Sequence, residues 1–149
     1  MIKKSVDNLS IAGFIILMFL LLVSALGLYI NHYGFGVDRL YAFYAGDTKN
    51  YINPKSFNTI IKTFSPHILV MPLSFFILFH IGTTSKSFKK EHIKYIAMIG
   101  FGSSLADIAV NFFIALSPLV ALMKIVFLGM FELTMLYVML QIFKTIYHL

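Results

Sequence analysis

Four long apolar stretches leave this chain very little choice of fold. They occupy residues 11–30, 66–81, 93–116 and 119–143. A helix that crosses a bilayer needs about 20 mostly apolar residues, and within 11–30 only Gly13, Ser24 and Gly27 relieve a run of Leu, Ile, Phe and Val. Only 12% of the 149 residues are charged, whereas a soluble domain carries about a quarter. With a mean hydropathy of +0.86, most of the surface must face hydrocarbon. The expected fold is therefore an all-α integral membrane protein: one antiparallel four-helix transmembrane bundle over residues 1–149, with short amphipathic helices in its outer loop. Four spans leave no room in these residues for a separate soluble enzyme.

Helix signals divide the spans. Lys3 and Lys4 precede the first, as in a secretory signal, but its apolar run is of spanning length, so it reads as an uncleaved anchor. Ser65-Pro66 and Ser117-Pro118 each look like an N-cap followed by a proline at the first helical position. Pro72 should kink the second span. The short turn at Ser117 makes spans three and four an antiparallel hairpin.

Orientation follows from lysine. Lys86, Lys89, Lys90 and Lys94 crowd the short connection between spans two and three, and Lys3, Lys4 and Lys144 fall on the same side. The opposite side has Arg39, Lys49, Lys55 and Lys62 in a much longer loop. Positive residues in short loops stay cytoplasmic, which places both termini inside, in a bacterial inner membrane. The net charge of +6 thus belongs to topology and anionic lipid rather than to nucleic acid. The lipid bilayer is the expected partner, together with a homo-oligomer or a larger membrane complex.

The outer loop, about residues 31–64, has structure of its own. Asp38 is placed to cap a helix with Val37, Leu40, Tyr41 and Tyr44 on one face, stopped by Gly46. Asn53-Pro54 opens a second, with Phe57, Ile60, Ile61 and Phe64 at helical spacing. Two readings compete: a loop lying flat in the headgroups beneath a belt of Tyr29, Tyr33, Tyr41, Tyr44 and Tyr51, or a lid over an outward-facing pocket. In span three, Gly100-xxx-Ser104 and Gly102-xxx-Ala106 let a neighbouring helix approach closely, within the bundle or in a partner subunit.

Function should lie with the polar residues inside the spans, which are costly there and usually face the bundle interior. At about 1.5 Å of rise per residue, Lys124 lies about 9 Å from the outer end, Asn111 about 8 Å and Asp107 about 14 Å. Asp107 and Asn111 share a helix face, so a Lys124–Asp107 ion pair flanked by Asn111 is expected across the hairpin. Glu132 and His80 both lie about 20 Å deep, which suggests a second pair, continued inward by Thr134, Tyr137 and Gln141. These residues can form a polar site for an ion, a proton or a small ligand, or serve only to fix helix register.

Five histidines in four helices also allow a haem. A bis-histidine haem b needs two imidazoles level on different helices, and His32 and His67 meet that at the outer end. A second haem fits poorly, because His67 and His80 are about 140° apart around a straight helix and His92 lies at the wrong level. His92 and His148 read as solvated. No cysteine is present, which excludes disulfides, iron–sulfur clusters and thiolate metal sites. Phosphate loops, zinc motifs, hydrolase triads and transporter-type inverted repeats are absent from the pattern. An enzyme is not indicated, although an intramembrane carboxylate beside a histidine can do acid–base chemistry. The sequence points first to a small binding or accessory membrane protein with a polar intramembrane site of Asp107, Asn111, Lys124, Glu132 and His80. A b-type haem electron carrier and a purely structural subunit are its rivals.

Overall fold

The computed structural model describes residues 2–34 and 36–147, with side chains from Asn8 onward. The side chains of Lys3 and Lys4, and the whole of His148, lie outside that description. Five helices follow one another: α1 Ile2–Tyr33, α2 Val37–Ala45, α3 Phe57–Thr84, α4 Lys90–Val110 and α5 Pro118–Tyr147, with a 3-10 turn at Ile114–Leu116 before α5. Four of them are long and apolar enough to span a membrane, over Asn8–Tyr33, Phe57–Thr84, Lys90–Val110 and Pro118–Tyr147. They form the antiparallel helical membrane bundle that the apolar stretches predict.

The ends of the helices follow local chemistry. Ser117 does precede a helix that opens with Pro118, and its Oγ accepts the Val120 N–H at 3.4 Å. Span three ends sooner than its apolar run suggests. Beyond Val110 the chain tightens into bonds to the third residue back, and Asn111 Nδ2 donates to the Asp107 carbonyl at 2.6 Å, occupying a carbonyl that the ending helix leaves free.

Span two differs more. Ser65-Pro66 starts nothing: α3 begins at Phe57, with Ser56 Oγ accepting the Thr59 N–H at 3.3 Å, and runs through both Pro66 and Pro72. The amphipathic segment expected as a separate headgroup helix is the first two turns of this span. A proline removes only one helix hydrogen bond, and a membrane helix held by its neighbours tolerates that loss.

The loop helix α2 is separate, and it packs against the bundle. Gly36 rather than Asp38 stands at its N-cap, without a side-chain bond, and Asp38 sits in the first turn, where its charge suits the helix dipole. Leu40 and Tyr44 are buried against Ile60, Phe64, Ile114 and Ala121, so α2 plugs the loop end of the bundle. Gly46 ends it with φ +87, and a Cβ there would lie 2.8 Å from Pro54. The backbone then pairs Asp47 with Ile52, and Asn50 Nδ2 and the Lys49 N–H both donate to the Asp47 carboxylate. The Asn50 bond, more than that of Lys49, holds the Asp47 carboxyl below its ordinary value.

Towards the other end a second core gathers Met71, Phe75 and Leu78 of α3, Phe131, Met135, Val138 and Ile142 of α5, and Phe88 from the short connection. α4 and α5 share the most extensive interface, α3 packs on both, and α1 leans on α5 and touches α2. At Gly100 a side chain of α3 lies hard against α4: a Cβ there would run into the Phe75 ring. Gly102 meets nothing. Of the two small-residue pairs in the sequence, one therefore serves packing inside the bundle and the other lies on an open face.

Candidate functional site

Because α1 is held mainly by α5 and α2, a cavity of about 430 Å³ lies between it and α3. α1 contributes Ala25, Tyr29, His32 and Tyr33 to the wall, and α3 contributes His67, Met71 and Ser74. Asp107 and Asn111 reach it from the end of α4, Lys124, Phe131 and Glu132 from α5, and Tyr44 of α2 from the loop end. Four of the five residues named for the polar site, and both haem candidates, line this one space.

Asp107 and Lys124 meet as the hairpin register implies. Lys124 Nζ donates to both carboxylate oxygens, at 3.0 and 3.1 Å, and the side chains are 10% and 2% exposed for Lys124 and Asp107 respectively. Two of the three ammonium donors are used in this way. Asn111, also buried, turns its amide nitrogen to the Asp107 and Ile108 carbonyls. Both partners are acceptors, so the orientation of the amide is fixed. Its Oδ1 is left enclosed with no hydrogen-bond partner. A buried acceptor without a donor costs about 1–3 kcal/mol, and such atoms are rare in folded proteins.

Glu132 sits two helical turns beyond Lys124 on the same side of α5. It is half-buried on the cavity wall and has no hydrogen bond or ion pair with the described residues. His80 does not pair with it. His80 is exposed on the far side of α3, its ring stacked on Phe76 at 6.2 Å. Shared depth was the basis for expecting that pair, but the direction around the helix decides: His67 faces the cavity, His80 lies about 140° away, and α3 runs on through Pro72. The polar trail beyond Glu132 also leaves the cavity. Thr134 and Tyr137 line a separate groove with His92 and Tyr95, and Thr134 Oγ1 donates to the Met130 carbonyl.

Tyr44 and Ser74 are wall residues that sequence reasoning did not place. Ser74 follows His67 by seven residues, on the same helix face, and that spacing was a usable signal. The sequence leaves Tyr44 between an aromatic belt and the apolar face of a lid helix. It stacks on Tyr33 at 5.9 Å, and the two hydroxyls are 3.2 Å apart. Burial first, then the neighbouring Tyr33, raises the Tyr44 hydroxyl above its ordinary 10.0. Tyr51, by contrast, is fully at the surface. Among the described residues, no group of three or more His, Cys, Asp and Glu is arranged to hold a metal ion.

Fold and cavity together define a small helical membrane protein. Residues 34–148 match the Aq_1264_TM family, a transmembrane helical domain, and the chain belongs to that family. No curated protein and no solved structure matches it. The matched segment takes in α2 to α5, so α1, which supplies one wall of the cavity, falls outside it.

Proposed function

We propose that this is a ligand-binding membrane protein, acting alone or as an accessory subunit, and that its binding site is the cavity between α1 and α3. One observation carries the reading: Asp107, Lys124, Asn111 and Glu132 all line a single space of about 430 Å³. Pockets for small molecules span about 300–1,000 Å³ and combine apolar walls with a few convergent polar groups. A purely register-fixing role would leave each polar group partnered by protein, whereas Glu132 and the Asn111 Oδ1 are not. The lysine-rich connection of residues 86–94 supports cytoplasmic termini, which would put the α2 end of the cavity on the outer side.

Mass spectrometry of protein extracted from its own membranes in mild detergent tests the reading. Wild type should retain a small molecule in near-stoichiometric amount, and both Glu132→Leu and Ala25→Phe, which fills the cavity, should lose it while still inserting and folding. Wild type that emerges empty from several mild detergents would remove the ligand-binding reading.

A second reading is favoured by one feature. His32 of α1 and His67 of α3 line the same cavity from two walls, as a bis-histidine haem b requires. The His32 ring is in contact with Tyr33 and Phe43, at 5.8 and 6.1 Å. A sharp alpha band in a reduced-minus-oxidised spectrum, lost on His67→Ala, would establish this reading. Haem-free protein from haem-sufficient cells would end it.

A further inference from the structure

We infer that the cavity takes an amphipathic ammonium cation, with its head at Glu132 and its apolar chain between α1 and α3. The inference rests on the cavity being a ligand site, and charge, hydrogen-bonding capacity and access together point to this class of ligand.

Charge comes first. Asp107 and Lys124 neutralise each other through two hydrogen bonds, so with neutral histidines the unbalanced ionisable group of the lining is the Glu132 carboxyl. To stay ionised in an apolar setting a carboxylate needs a counter-charge, and no described residue supplies one. A cationic head does.

Hydrogen-bonding capacity points the same way. An ionised carboxylate only accepts. Lys124 has one donor left after Asp107. That donor lies about 12 Å along α5 from Glu132, which has no donor among the described residues, so the matching ligand is one that donates. An ammonium group carries three donors and no acceptor. The aromatic ring of Phe131, next to Glu132 in the lining, suits a cation as well.

Access sets the rest of the molecule. At the loop end Tyr44, itself 2% exposed, packs over the cavity between the exposed His32 and His67. Its sides are open: the lining residues Leu28 and Val70 are 65% and 46% exposed on helices that face hydrocarbon. A molecule already dissolved in the bilayer enters sideways between α1 and α3, leaving its chain against Leu28 and Val70 while its head reaches Glu132.

Binding of radiolabelled octylammonium and octanol to the full chain in lipid nanodiscs tests this, with empty nanodiscs subtracted. Octylammonium should bind at least about tenfold more tightly than octanol, as expected for a charge-assisted hydrogen bond. Glu132→Gln should erase that advantage without changing octanol binding, and Glu132→Asp should keep part of it. Ala25→Phe, checked for an unchanged melting temperature, should abolish binding of both. Octanol binding as tightly as octylammonium, or octylammonium indifferent to Glu132→Gln, would overturn the cationic class. Neither probe binding while the extracted protein retains another molecule would also overturn it and leave the site standing. Saturable binding indifferent to Ala25→Phe would remove the cavity itself.

Discussion

At the scale of residues, the costliest feature of this protein is an ion pair enclosed in a bundle that faces hydrocarbon. Removing charges from water costs several kcal/mol per ion, and their attraction offsets this only with good geometry. Two contacts of 3.0 and 3.1 Å from one ammonium to both carboxylate oxygens provide it. Lys124→Met would strand Asp107 and should lower stability by about 3–5 kcal/mol. The double variant Asp107→Leu with Lys124→Met should recover most of that loss. Equilibrium unfolding in detergent measures both, and a single variant as stable as the double would mean that the pair holds nothing. The pairing was legible in the sequence because hairpin register fixes depth and both residues point across one interface. The Glu132–His80 pairing was read from depth alone and fails on direction around the helix. Nor does any sequence signal show that Glu132 and the Asn111 Oδ1 lack partners, since that depends on what every other side chain does.

At the scale of elements, two helix contacts have opposite tolerances that substitution separates. Gly100 lets the Phe75 ring lie against α4, so Gly100→Leu should cost at least about 1–3 kcal/mol through overpacking. Gly102→Leu, two residues on and about 160° around the helix from that face, should leave the melting temperature of the purified protein unchanged. Helix α2 offers a test by pH. Its Tyr44 hydroxyl is held neutral by burial and by Tyr33, its value raised above 10.0. The unfolded chain loses that proton more readily than the folded one. The associated stability is therefore complete below pH 10 and is lost as pH rises above it. Thermal midpoints should fall on the alkaline side of pH 10, and less steeply in Tyr44→Phe. An identical fall in the variant would mean that Tyr44 is not enclosed. The sequence leaves the docking of α2 open between a headgroup helix and a lid for a physical reason: Leu40, Tyr41 and Tyr44 at helical spacing suit both. What decides is an apolar recess at the bundle end, made by Ile60, Phe64, Ile114 and Ala121 from three other parts of the chain. The proline signals diverge for a similar reason, because Ser117 follows a turn whereas Ser65 sits inside a helix already capped at Ser56.

At the scale of the whole molecule, the number of spans and their antiparallel packing were written in the apolar stretches and the short turns between them, and the cavity was not. The cavity exists because α1 leans on α5 and α2 while α3 packs with α4 and α5, a spacing that no local pattern encodes. It joins the wall provided by α1, outside the family match, to polar residues provided by α4 and α5 within it. The central claim is that this space holds a molecule other than protein. A density map of the full chain in nanodiscs of its native lipid tests it most directly. The account predicts continuous non-protein density between α1 and α3, with a polar end within hydrogen-bonding distance of Glu132. A map in which α1 closes onto α3 and side chains fill the space would contradict it.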